Sequence, residues 1–246
     1  MGPTAVSRLR PAYYAPTGTR AGDLIAVLHP PYTAWHLAYV AIGASLGPAL
    51  DWLRLGGTAL AFFLGTGIAT HALDELHDRP LRTGLSNRAL LVLVVGGYAG
   101  AVGVAVAGVV VISPWVLAWA ALGIALASGY ALSIHPWLHS ELGFALAWGA
   151  FPVLAGHWAQ AEGFSLPVLA VAAAATILSL VQHGLSSPAR FVRRTTQAAS
   201  ASFKLEDGTD RWSRERLLAT WERPLRLLGW AVVLLGAGLL ALRAAG

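Results

Sequence analysis

The chain has 246 residues, 56% of them hydrophobic and only 12% charged, with 10 tryptophans and no cysteine. That balance lies far from a soluble domain, and the missing cysteine excludes disulfides, thiolate chemistry and Cys-ligated zinc or iron. Seventeen Lys and Arg against 12 Asp and Glu give a net charge of +5, which in so apolar a chain reads as loops facing anionic lipid, with no nucleic-acid partner.

The first stretch, MGPTAVSRLRPAYYAPTGTRAGD, has no compact apolar core and no small-residue cleavage pattern. Residues 1–30 are therefore predicted to be a retained cytoplasmic arm. Apolar runs of membrane-crossing length then recur at about 32–50, 56–74, 89–111, 114–134, 142–160, 165–183 and 225–243. They predict an all-α polytopic membrane protein, a seven-helix bundle forming one integral membrane domain over 1–246. Residues 184–224 form a polar cytoplasmic connection within that domain. There, RWSRERLLATWERPLRLL places Trp212, Leu217, Leu218 and Trp221 along one stripe, predicting a helix at the inner interface or a loop packed over the bundle mouth.

If seven spans alternate, Arg8, Arg10, Arg20, Arg79, Arg82, Arg88, Arg190, Arg193, Arg194, Lys204, Arg211, Arg214, Arg216, Arg223 and Arg226 all fall on one side. Only Arg54 and Arg243 lie opposite. The positive-inside rule makes the crowded side cytoplasmic, with the N-terminus inside and the C-terminus outside, in a bilayer such as a prokaryotic plasma membrane. The spans are rich in Gly and Ala, as in GTALAFFLGTGIATHA and GGYAGAVGVAVAG, which allows helix backbones to approach closely.

Chemistry concentrates at THALDELHDRP, the inner end of the second span. Asp74 and Asp78 share a helical face at i, i+4, His71 precedes them by a turn, and His77 adjoins Asp78. Carboxylates there need solvation, pairing or a metal. Magnesium suits carboxylate oxygens and commonly bridges to phosphate, and Arg79, Arg82 and Arg88 would clamp a diphosphate. An ordinary charged helix end, paired at the interface, is the plain alternative. The loop YALSIHPWLHSELG adds His135, His139 and Glu141 on the same side, as diphosphate contacts, metal ligands or interfacial anchors. His183 ends span six there and would complete a histidine ring with His71 and His77. His36 and His157, within spans one and five, are predicted to make helix–helix hydrogen bonds.

These pieces resemble the UbiA superfamily of intramembrane prenyltransferases in order and spacing. That family carries Asn-x3-Asp-x3-Asp in span two, then an Arg-Pro-Leu stretch. Here THALDELHD matches at Asp74 and Asp78 with Thr70 in place of Asn, and RPLRTGLSNRALL continues the pattern. The resemblance implies that Asp74 and Asp78 hold magnesium and are catalytic, that Arg79 and Arg82 contact diphosphate, and that Tyr130 occupies the place of a tyrosine closing span four. It also implies that the bundle houses the isoprenoid tail. The sequence departs from the family in having no acid between Glu162 and Glu206, where a second Asp-rich motif belongs, and in having seven spans where the family has nine helices. His183 is the candidate substitute ligand with Asp74, Asp78 and His71. Three functions follow: a divergent prenyltransferase joining a polyprenyl diphosphate to a lipophilic acceptor, a histidine–carboxylate oxidoreductase using iron, zinc or copper, or a non-catalytic lipid-binding, transport or assembly protein.

Overall fold

The computed structural model describes residues 10–15 and 19–245; Arg8 and the rest of the predicted arm at 1–9 and 16–18 lie outside the described residues. The helices are α1 (Arg20–Val27), α2 (Pro30–Ser45), α3 (Trp52–Asp78), α4 (Asn87–Val111), α5 (Val116–Ala131), α6 (Glu141–Ala161), α7 (Leu166–Thr195) and α8 (Arg214–Ala245). An antiparallel hairpin, β1 (Ala201–Leu205) with β2 (Gly208–Trp212), precedes α8. Helices α3, α4, α6, α7 and α8 are long and apolar enough to cross a membrane. With α2 and α5, each 16 residues, they make the chain a polytopic membrane protein of largely helical build.

Local sequence sets the helix boundaries. Thr19, Asp51, Ser86 and Ser140 each accept a backbone N–H from the first turn that follows, satisfying donors that a helix start leaves free. Proline opens α2 and α7, where its missing N–H removes no bond.

Two features of the 184–224 connection differ from the expected polar loop with its interfacial helix. Helix α7 continues through Pro188 to Thr195, because Ala189 and Val192 pack on Leu218. Helix α8 runs unbroken through Pro224, carrying Trp221 and Leu218 on the bundle side instead of along a separate surface helix. Between them lies the hairpin, an addition to the all-α expectation. Its strands pair Phe203 with Asp210 and Ala201 with Trp212, so Phe203 meets Trp212 across one face. The alternation in this short polar stretch is masked by Gly208 and the charges around it.

Helices α2 and α6 are the centre of the bundle. Trp35, Tyr39 and Ile42 of α2 pack with Ala150 and Val153 of α6, Val168, Ala172 and Ala175 of α7, and Val232 of α8. A side chain at Gly43 would drive into the Val153 carbonyl, and one at Gly156 into the Val40 carbonyl. The two backbones therefore touch reciprocally, which is how helices associate where lipid supplies no hydrophobic drive. The opposite flank is α3, α4 and α5, and Val92, Val95, Val102, Val106 and Val110 of α4 are exposed on its outer face, as contact with hydrocarbon requires.

The two ends of the bundle are fixed by different bonds. At one, Asp51 and Gln160 exchange hydrogen bonds through Asp51 N–H to Gln160 Oε1 (2.8 Å) and Gln160 Nε2 to Asp51 O (3.2 Å), while Arg54 donates to the Ala159 carbonyl and Arg243 to those of Ser45 and Gly47. At the other, Arg193 is ion-paired with buried Glu222 and reaches the Arg10 carbonyl (3.2 Å), and Arg194 reaches that of Pro11 (3.4 Å). The arginines Arg54 and Arg243 thus sit apart from the basic end, as alternation of the spans requires.

Gly43→Val and Gly156→Val are each expected to lower stability by about 3 kcal/mol, measured by thermal unfolding in detergent. Gly103→Val, at a position with nothing within 4 Å, is expected to leave it unchanged.

Candidate functional site

The acidic end of α3 divides its carboxylates among three environments. Glu75 is fully buried. Its Oε2 accepts the Leu81 N–H (2.8 Å), and its Oε1 accepts the Thr83 N–H (2.8 Å) and hydroxyl (2.9 Å). In the turn it holds, Arg79 and Arg82 have φ of 52° and 53°, left-handed backbone that is unfavourable for residues with a Cβ. Charge-assisted bonds from one buried carboxylate offset that strain. Asp78 instead points outward, its side chain 71% exposed and 3.8 Å from His77. Asp74 is half-buried and faces inward, where the positive charges acting on it are those of Arg194 and Arg190.

The predicted arginines also separate. Arg79 donates to the Leu85 carbonyl (2.7 Å) and the Asn87 side chain, and Arg82 donates to the Arg194 carbonyl (2.9 Å). Both guanidiniums tie the 79–87 loop to its surroundings. Arg190 and Arg194 of α7 take the inward positions. Arg190 bonds the hydroxyls of Ser186 and Ser187, each at 3.1 Å, and among the described residues neither arginine has a carboxylate within ion-pair distance. Sequence reasoning counted these two only as topological charge. The signal lay in the i+4 series Gln182, Ser186, Arg190, Arg194, a polar stripe whose first two members are buried.

An aromatic and histidine layer lies near these two arginines, whose charges act on His29. Tyr14 Oη lies 2.8 Å from His29 Nδ1, and the His29 ring stacks on His71 at 4.3 Å. Burial raises the Tyr14 phenol; burial first, then His71, Arg194 and Arg190, hold His29 well below the usual imidazole range. Both are neutral partners in that contact. His71 also approaches the Gly67 carbonyl at 3.3 Å.

The remaining predicted residues form a second group. His139 stacks on Tyr130 at 4.8 Å, Tyr130 packs on Phe144 and Trp148, and His183 rests on Phe144 with Nδ1 3.7 Å from Glu141. His135 is exposed, its Nδ1 accepting the Trp137 N–H (3.1 Å). Tyr130 links the groups, since Asp74, Arg190 and Arg194 all act on it. Among the described residues, no three His, Asp or Glu side chains converge as metal ligands. The ring of His71, His77 and His183 is not drawn together.

Beneath this polar end lies a cavity of ≈ 210 Å³ between α3, α4, α5 and α6. Gly57, Gly65, Gly108, Gly123, Ala105 and Ala127 keep its walls thin, and Phe62, Trp119 and Phe151 give them aromatic faces. Toward the acidic end of α3 it carries Tyr98, whose hydroxyl lies 2.8 Å from Ser128 Oγ and 3.1 Å from Thr70 Oγ1, the latter bonded to the Gly65 carbonyl (2.8 Å), and at the opposite end Arg54 lines it. Thr66 in the cavity wall, Thr70 and Asp74 follow at four-residue steps along α3, so Asp74 stands about two turns beyond Thr66. The chain matches no family model, no curated protein and no solved structure.

Glu75→Ala leaves the buried Leu81 and Thr83 donors unpaired and is expected to cost about 3 kcal/mol. The matching readout is faster protease cleavage within 79–86 of detergent-purified protein.

Proposed function

We propose that the protein holds an amphiphilic lipid with an anionic head, its apolar chain in the cavity and its head toward Arg190 and Arg194. The observation that carries this reading is the single face of α3 that passes from cavity wall at Thr66 through Thr70 to Asp74, on which Arg190 and Arg194 act, two guanidiniums with no carboxylate within ion-pair distance among the described residues. A cavity with small-residue walls accepts a long flexible chain, and partly buried guanidiniums stabilise phosphate oxygens through charge-assisted bonds.

In its finer form the reading is prenyl transfer: a polyprenyl diphosphate donor and a lipophilic acceptor, as the resemblance of Asp74, Asp78 and the following Arg-Pro-Leu stretch implies. The prenyl C–O bond breaks, diphosphate departs, and the acceptor forms the new bond and releases a proton. Magnesium is commonly held by one or two carboxylates, the other positions going to water and phosphate oxygens, so inward-facing Asp74 suits it chemically, whereas Asp78, 71% exposed, faces away from that position. Bound there, it would neutralise charge on the departing diphosphate. Arg190 and Arg194 position the diphosphate, Arg79 and Arg82 hold the loop that frames it, and the apolar wall keeps water from the reacting carbon. The basic end is cytoplasmic in this reading, which places the N-terminus inside and the C-terminus outside.

Binding of geranylgeranyl diphosphate to protein in lipid nanodiscs, with diphosphate release measured with and without magnesium, tests both levels. Arg190→Gln combined with Arg194→Gln is expected to weaken binding at least tenfold, and Asp74→Asn to abolish release while binding remains. Gly108→Leu, whose Cβ meets only the Val116 side chain at ordinary contact distance, is expected to shorten the longest chain accepted. Saturable binding without release in any donor length refutes transfer and leaves a carrier; no saturable binding refutes the lipid site itself.

A further inference from the structure

Helix α2 carries a polar group that the bundle does not satisfy. His36 is 7% exposed, and its Nδ1 is fully buried without a hydrogen-bond partner. A buried unpaired ring nitrogen forgoes a hydrogen bond it would make in water, a loss that native structures generally avoid. Its neighbours offer no remedy: Trp148 packs edge-on at 6.1 Å.

His36 borders a void of ≈ 20 Å³ that it shares with Thr66, Gly123, Ala127, Trp148 and Phe151. Thr66, Gly123, Ala127 and Phe151 also line the large cavity, so the void adjoins it as a branch across shared walls. The two π-helical stretches among the described residues, Phe63–Thr70 in α3 and Leu146–Ala150 in α6, both contribute walls, through Thr66 on one side and Ala147 and Trp148 on the other. Such stretches distort a helix and recur at functional sites. An orphan nitrogen, a cavity branch and two helix distortions therefore coincide at one depth.

We propose that His36 is a recognition point for a hydroxyl or carbonyl oxygen on a lipophilic ligand in the cavity. The inference rests on the lipid-site reading above and adds the ligand's chemistry. Neutral imidazole offers one N–H donor and one acceptor nitrogen, so it bonds a ketone oxygen through the first and a hydroxyl through either. The apolar body of the ligand stays in the main cavity while its oxygen enters the branch. A charged head has no counter-ion at that point and is directed to the arginines. In the transfer reading, the oxygen belongs to the acceptor.

A hydrocarbon and its mid-chain ketone isolate the effect. Tridecane and tridecan-7-one are titrated against the tryptophan quenching that 1-bromododecane produces in protein-containing nanodiscs, with Gly108→Leu protein as the partly filled cavity. The ketone is expected to compete about tenfold better than the alkane on the wild-type protein, the worth of one hydrogen bond to a buried group. His36→Leu is expected to erase that preference with alkane competition unchanged, and His36→Gln to restore part of it. A 13C-labelled ketone carbonyl is expected to show a lowered infrared stretch in wild type and not in His36→Leu. Equal competition by ketone and alkane on the wild-type protein, which needs no variant to fold, overturns the proposal; a water bound permanently in the branch, which has room for one, gives that result. Competition by neither compound overturns the lipid site together with it.

Discussion

The reciprocal backbone contact of α2 and α6 at Gly43 and Gly156 is the constraint from which the rest of the arrangement follows. Apolar side chains gain nothing by leaving lipid for another helix, so association depends on dense packing and on polar groups that find partners. Bringing the two axes together commits α2 to the interior on nearly every side. That burial is what puts His29 and His36, two histidines on one 16-residue segment and its cap, among protein neighbours. It also turns α6 so that Phe151 and Trp158 face the cavity while Val153 faces the centre.

Around this axis the bundle is polar where it meets water and apolar within, and the polar work is unevenly distributed. Glu75 and Glu222 are buried and fully engaged, the first by backbone donors and the second by Arg193. Buried carboxylates with such partners organise structure; removing a partner leaves an uncompensated charge. Asp74, Arg190 and Arg194 differ because they act on one another at a distance without closing into pairs. An arrangement of that kind retains the capacity to receive a charged group from outside the chain.

Much of the architecture was legible in the sequence. Hydropathy placed five of the seven predicted spans to within about five residues of a helix, since a run near 20 apolar residues has few other uses, whereas α7 runs on to Thr195 and α8 begins at Arg214, well outside the predicted 165–183 and 225–243; the segregation of Arg54 and Arg243 from the other cations matches the two bonded ends. The site was less legible. THALDELHDRP drew the eye, but helical spacing alone ranks Asp74, Glu75 and Asp78 together, whereas the fold sends one inward, one into the loop and one to water. The turn at 79–84 that engages Glu75 is set by two left-handed arginines that no local pattern announces. Arg190 and Arg194 were hidden for a related reason: Pro188 suggests a helix end, yet packing against α8 carries α7 past it. The hairpin was missed because its short strands are mostly exposed and polar and so resemble a loop.

The π-helical stretch in α3 gives that helix an unusual sensitivity. Eight residues with wider turns separate the cavity wall from the acidic end, so the angular phase of His71 to Asp78 is decided by how tightly Phe63–Thr70 winds. Tightening that stretch to ordinary α-helix with all eight residues kept would swing everything downstream by about 100°. Glu75 would then no longer meet the loop amides, and Asp74 would leave the arginines, although no residue of either group had changed. In this bundle the winding of a single apolar segment, more than its composition, sets the bearing of the carboxylates that follow.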